Sequence, residues 1–201
     1  MITSSFNSHV LTLDYLQGLT KDINKTVKRA SYSEAVNIYR KAKEKLLDVS
    51  AWNEDPRLHE FDYTLMDSSG NLKRDFACEG DYIRFKLNPI ENKLCWVKIE
   101  RILEVSHHDW KSFAIRLEPM ANPAEAKTLI PWPIPSVNQT NTLIIERTGN
   151  KVVSFLHQRT NDIKVNKQRF GIISKFFRLF SGGKEQNCEM HSWENIVDTI
   201  L

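Results

Sequence analysis

Cysteine is scarce in this chain of 201 residues: there are three, Cys78, Cys95 and Cys188, widely spaced and odd in number. No CxxC pair occurs, so the spacing of a structural zinc site or of a disulfide framework is missing. Free, mostly buried thiols in a reducing compartment are expected instead. Neither sign of charge dominates, since 28 basic against 25 acidic residues leave a net charge of +3. That balance excludes a nucleic-acid binder built on a broad cationic face. Long apolar runs are missing too. No stretch approaches the roughly 18 apolar residues of a membrane-crossing helix, so no stable membrane insertion is expected. The opening residues, MITSSFNSHVLTLDYLQ, show no basic segment followed by an apolar one. No secretory signal is read there, and the chain is expected to be cytoplasmic. Walker loops, GxGxxG, HExxH and GxSxG are all lacking. No enzyme class, metal or cofactor is therefore expected from a motif.

What is present has the composition of a globular protein, 41% hydrophobic and 26% charged. At this length one domain spanning 1–201 is expected, with 1–30 left open between strand and helix. Ser31 and Glu34 have the spacing of a capping box. Ala35, Ile38, Tyr39, Ala42, Leu46 and Val49 then recur at three- and four-residue steps, which predicts an amphipathic helix over 31–50.

From 61 to 160 the period becomes two. Ile83, Phe85 and Leu87 oppose Tyr82, Arg84 and Lys86; Val97 and Ile99 oppose Lys98 and Glu100; Phe113, Ile115 and Leu117 oppose Arg116 and Glu118. A tight turn at Gly149 and Asn150 joins the last two runs. Six consecutive strands predict an antiparallel meander with one buried face. One connection, residues 119–141, is long. It carries Pro123, Pro131, Pro133 and Pro135 around Trp132, a pattern that forbids a regular ladder and suits a lid or a binding loop. Over 166–201 helical periodicity returns: Phe170, Ile173, Phe177 and Phe180 share a face, Gly182 and Gly183 stop the run, and Trp193, Ile196, Val197 and Ile200 follow.

One apolar sheet face needs a cover, and the two amphipathic regions supply it. The fold class is therefore α+β, a curved antiparallel sheet of about six strands with an N-terminal and a C-terminal helix on one face. A closed antiparallel barrel with flanking helices is the alternative. The element order resembles the helix-grip arrangement of the START and polyketide-cyclase (SRPBCC) superfamily, which implies a cavity between sheet and C-terminal helix.

A second resemblance lies in residues: LLDVSAW, GDYIRF, WVKIERI, FAIRLEPMANP and IIERTGNKVVSFLHQRTN are similar to a family of cytoplasmic Bacteroidota proteins without an established activity. The likeness runs from Leu46 to Leu201. The chain departs from that pattern at Asn88, Pro89, Ile90 and Glu91, and at His157, Gln158, Arg159, Thr160 and Asn161, so a site built there in relatives would be altered here.

The candidate ligand-binding residues follow from the inward face: Phe85, Val97, Phe113, Ile115 and Phe177, with Trp132 as a lid. Such a site would take a small apolar molecule or a lipid. The competing reading is a solid core and a protein partner held by the loop around Trp132, since tryptophan is enriched at interface hot spots. His157 and Arg159 form a candidate polar site on one face of the last strand. His107 and His108, next to Asp109, read as a turn rather than a chelate.

Overall fold

The computed structural model describes residues 19–58, 61–87, 93–120, 139–160 and 195–201. In chain order these form β1 (Leu19–Lys28), α1 (Tyr32–Leu47), α2 (Val49–Trp52), β2 (Phe61–Met66), β3 (Tyr82–Leu87), β4 (Lys93–His107), β5 (Trp110–Met120), β6 (Gln139–Thr148) and β7 (Lys151–Thr160). Residues 195–200 are helical. The strands make one antiparallel sheet in the order β1-β7-β6-β5-β4-β3-β2. Its edges, β1 and β2, do not pair with each other, so the sheet is open rather than a closed barrel. Strand, paired helices, a six-strand meander and a closing helical turn make a helix-grip-like α+β fold.

The sheet has seven strands where the sequence suggests six. The seventh, β1, lies in the segment that the sequence leaves open between strand and helix, because its residues, LTKDINKTVK, are mostly polar. The alternation is nonetheless there, with Ile23, Lys25 and Val27 half-buried and Asn24 and Thr26 exposed. An edge strand buries only part of one face, which permits this composition.

α1 begins as the capping box requires. Ser31 Oγ accepts the Glu34 N–H at 3.2 Å, and the Glu34 carboxylate accepts the Ser31 N–H at 3.4 Å, an arrangement worth about 1 kcal/mol. Ala35, Tyr39, Ala42 and Leu46 are its buried stripe. The helix stops at Leu47, short of the expected end, because the Asp48 carboxylate accepts the N–H groups of Ser50 and Ala51 and starts α2. Val49 thus belongs to α2. Trp52 closes the corner by donating from Nε1 to the Lys45 carbonyl at 2.9 Å.

Two tight turns hold the central hairpins. Gly149 (φ 56°) and Asn150 join β6 to β7, and His108 (φ 38°) and Asp109 join β4 to β5. Both use the left-handed backbone that two-residue hairpins need. The turn reading holds for His108, whereas His107 is the last residue of β4; their rings meet edge-on at 4.6 Å.

One irregularity matters for the site. The β4–β5 register shifts between Ile99 and Arg101, so Glu100 is the extra residue of a bulge. Before the bulge Val97 and Ile99 face the core; after it Ile102 and Glu104 do. The Glu79 carboxylate accepts the Ile102 N–H at 2.8 Å.

The last helical turn is anchored through its carbonyls, the groups a helix leaves without partners. Ser154 Oγ donates to Val197 O at 3.0 Å, Lys25 Nζ and Arg57 Nη1 to Asp198 O at 2.6 and 2.9 Å, and Lys45 Nζ to Thr199 O at 2.8 Å. Three cations at the negative end of a helix also complement its dipole. Ile196, Val197 and Ile200 join the main core. No helix among the described residues is long and apolar enough to cross a membrane.

Candidate functional site

The inner face of the sheet, the one beneath α1 and α2, is a broad apolar floor. Phe85 on β3, Val97 on β4, and Phe113 and Ile115 on β5 all belong to it. Each is at most 2% exposed, and all lie in one core cluster. No two of them are direct partners across a ladder. Phe85 pairs across the ladder with Cys95 and Val97 with Ile83, whereas Ile115 pairs with Ile102 and Phe113 with Glu104. Phe85 also joins an aromatic cluster, with ring centroids 5.9 Å from Tyr63 and 6.4 Å from Phe61, and Tyr63 in turn meets Trp52 edge-on at 5.3 Å.

The helices cover this floor unevenly. α1 packs chiefly on β6 and β7, and α2 on β2. Toward β4 and β5, α1 reaches with two side chains. Lys43 lies over the Phe113 ring at 5.0 Å and pairs with Glu104, to which the Tyr39 hydroxyl donates at 3.5 Å. Burial, reinforced by the Glu104 charge, raises the Tyr39 pKa above its ordinary value. At the start of α1, Tyr32 covers Arg147, whose guanidinium carbon is 4.6 Å from the ring centroid. Arg147 is 1% exposed, donates to Gly149 O at 3.0 Å, and has no partner for Nε among the described residues. Between the footprints of α1 and α2 lie Phe85, Val97, Ile99, Ile115 and Leu117.

One polar pair sits on this floor away from α1. Gln158 Nε2 donates to Asn141 Oδ1 at 3.1 Å. Asn141 is 2% exposed and lies in register between Gln158 and Leu117, with Leu143 and Leu156 in the next row. Sequence reasoning missed the pair, although parity places Asn141 with Leu143 and Ile145, and Gln158 with Leu156. A polar residue at an inward parity position was the available signal.

His157 lies on the opposite face. Its ring stacks on Phe155 at 5.8 Å and 10°, beside an outer apolar strip of Leu103, Ala114, Ile144 and Phe155. Arg159 occupies a position in β7 opposite Thr140, and its side chain lies outside the described residues. Glu146, also outward, is pushed above the ordinary carboxylate range by burial, which the Ser112 hydrogen bond partly offsets. The His157 position and the apolar floor are therefore separated by the thickness of the sheet.

Trp132 and Phe177 fall outside the described residues, as do 121–138 of the connection that carries Trp132; its expected ends, 119–120 and 139–141, belong instead to β5 and β6, whose pairing continues into them. Cys95 is buried as expected, but Cys78 is exposed, because it lies in the segment before β3 rather than in a strand. No group of three or more metal-ligating side chains occurs among the described residues. A cleft of about 550 Å³ opens at the β2 edge, lined by Ser50, Tyr63, Leu65, Leu72, Lys73 and Phe76 among others. None of the candidate residues lines it.

Comparison with known proteins finds no matching family model and no matching curated protein. Among solved structures the chain is similar to a Thalictrum flavum norcoclaurine synthase mutant, at 10% identity over 92% of this chain and 97% of that one, with a TM-score of 0.38. It is also similar to protein Ms6760 of Mycobacterium smegmatis, at 14% identity over 92% and 91% with a TM-score of 0.41. The Panax ginseng major latex-like protein 151 has 12% identity over 92% and 99%, with a TM-score of 0.35. Likeness at this level carries neither a site nor a substrate to this chain, whose fold is described by its own strand order and registers.

Proposed function

We propose that this protein binds a small apolar molecule or a lipid between the inner face of its sheet and its C-terminal helical segment. The observation that carries the reading is the apolar floor of Phe85, Val97, Ile99, Ile115 and Leu117, which lies between the footprints of α1 and α2. An apolar surface with few, well-placed polar groups is the usual composition of a small-molecule site. In this reading Phe113 bounds the site beneath Lys43, Phe177 contributes to its roof, and Trp132 serves as a lid. Membership of the Bacteroidota family belongs to the same proposal and rests on the quoted segments between Leu46 and Leu201.

Native mass spectrometry of protein purified gently from its own cells tests the proposal. The expected result is an adduct that is lost on denaturation and recovered in organic solvent. A bare chain mass that stays bare after incubation with N-phenyl-1-naphthylamine, a neutral apolar fluorophore, would overturn it. A polypeptide riding with the chain in place of a small molecule would favour a protein partner at the loop around Trp132.

A further inference from the structure

We infer that the outer face of the sheet is the docking surface for residues 1–18 of this same chain, which cross it over β7, β6, β5 and β4. The surface is one row of side chains. Phe155, Ile144, Ala114 and Leu103 stand directly opposite one another on those four strands, and no described helix contributes to the cluster they form. Ile144 and Ala114 are each 2% exposed, and Thr142, Ser112 and Val153 around them are buried too. Side chains on one sheet face stand beside one another, not above one another. Ile144 has only the methyl group of Ala114 as its neighbour on β5, so the strands by themselves leave its flank open. Burial this deep within one chain requires a cover from the same chain. α1, α2 and the helical residues 195–200 cannot supply it, because their apolar side chains join the core on the inner face.

Length and connection select the cover. Three long stretches lie outside the described residues: 1–18, 121–138 and 161–194. Residues 121–138 leave β5 at Met120 and return at Gln139, five or six residues from the row. That is about 17–20 Å each way along the strands, which uses more than half of their reach. Residues 161–194 lead from β7 to the inner-face helical residues and carry six basic and four acidic side chains. Residues 1–18 carry one charged side chain, Asp14, so docking them on an apolar row desolvates little charge. They enter the sheet at Leu19, on the strand next to β7, where Asn24 continues the row from Phe155. From Leu19 to Leu103 is five residues along and four strands across, a diagonal of about 25 Å. Residues 1–18 span about 27 Å as a helix and more when extended. Either way the segment has an apolar side: Phe6, Val10 and Leu13 as a helix, Leu11, Leu13 and Tyr15 as a strand.

Photocrosslinking in the full chain tests the inference. With p-benzoylphenylalanine in place of Phe155, irradiation followed by digestion and mass spectrometry should join position 155 to peptides from residues 1–18 of the same molecule. The same probe in place of Leu103 supplies the reading if the variant at 155 does not fold. Leu13→Asp should lower the crosslink yield about fivefold or more. Ser8→Asp, which is off the apolar side in either conformation, should leave the yield unchanged. Crosslinks to 121–138 or 161–194, a crosslinked dimer, or no crosslink from either probe would each overturn the assignment. Equal losses with the two Asp variants would do the same.

Discussion

At the scale of single residues, Asp55 does more than its position in a surface turn suggests. Its carboxylate accepts from the Arg57 side chain at 2.9 Å, from the Arg57 N–H at 3.0 Å and from Lys45 Nζ at 3.2 Å. The bond from Arg57 is the main reason its pKa lies well below the ordinary carboxylate range. Arg57 and Lys45 are also the side chains that hold the carbonyls of the closing turn, so Asp55 orients two of its three cationic anchors. A carboxyl depressed on folding adds stability above its unfolded pKa, near 4, and that contribution is lost as pH falls through the folded value. Asp55→Asn should lower the melting temperature at pH 7 by about 2–6 °C. The gap to wild type should close as pH falls below about 4, and paired thermal melts between pH 7 and pH 2.5 would show it. A gap that is constant with pH would mean that the charge of Asp55 contributes nothing.

At the scale of elements, the β2 edge is protected by a side chain that imitates a strand. Asn53 Nδ2 donates to Tyr63 O at 2.8 Å, and Asn53 Oδ1 accepts the Tyr63 N–H at 2.8 Å. Further along, Lys73 N–H donates to Leu65 O at 2.9 Å. Together these occupy backbone groups that would otherwise template pairing with another chain. Asn53→Ala should therefore cost about 1–3 kcal/mol in urea unfolding and raise the rate of aggregation on heating. A variant that loses stability without aggregating faster would confine Asn53 to a stability role. The other edge, β1, relies on charge: Lys21, Lys25 and Lys28 lie along it, and lysine on an edge discourages further pairing.

At the scale of the whole molecule, a solid core and a ligand site differ in how they accept added bulk at Ile115, which is buried in the main core. A close-packed core resists enlargement, and inserting an indole into one costs about 1–3 kcal/mol. If a ligand occupies the site over Ile115 in the cell, Ile115→Trp in ligand-free protein should stay within about 1 kcal/mol of wild type while abolishing N-phenyl-1-naphthylamine binding. Urea titration and fluorophore titration of the same sample read the two quantities. A destabilised variant with no fluorophore binding in the wild type would mark the core as solid.

Much of this was legible in the chain itself. The capping box at Ser31 and Glu34, the α1 stripe, the alternation around Phe85, Val97 and Phe113, and the turn at Gly149 and Asn150 are local patterns. Local patterns depend on neighbours three or four residues away at most. Parity also put Phe85, Val97, Phe113 and Ile115 on one buried face, although parity cannot say which helix lies over each. β1 stayed undecided between strand and helix because an edge strand needs little apolar surface, and the inward position of Glu104 was hidden because a one-residue bulge at Glu100 inverts the alternation after it. Sequence by itself determined the type and order of α1 and of β2 to β7, and the apolar parity of those strands up to the bulge in β4, because backbone geometry ties these to short-range periodicity. Only the tertiary structure decided that β7 returns to pair with β1, that Asn141 meets Gln158 on the apolar floor, and that His157 stands on the opposite face. Those are outcomes of register and of long-range contact, which no local pattern encodes.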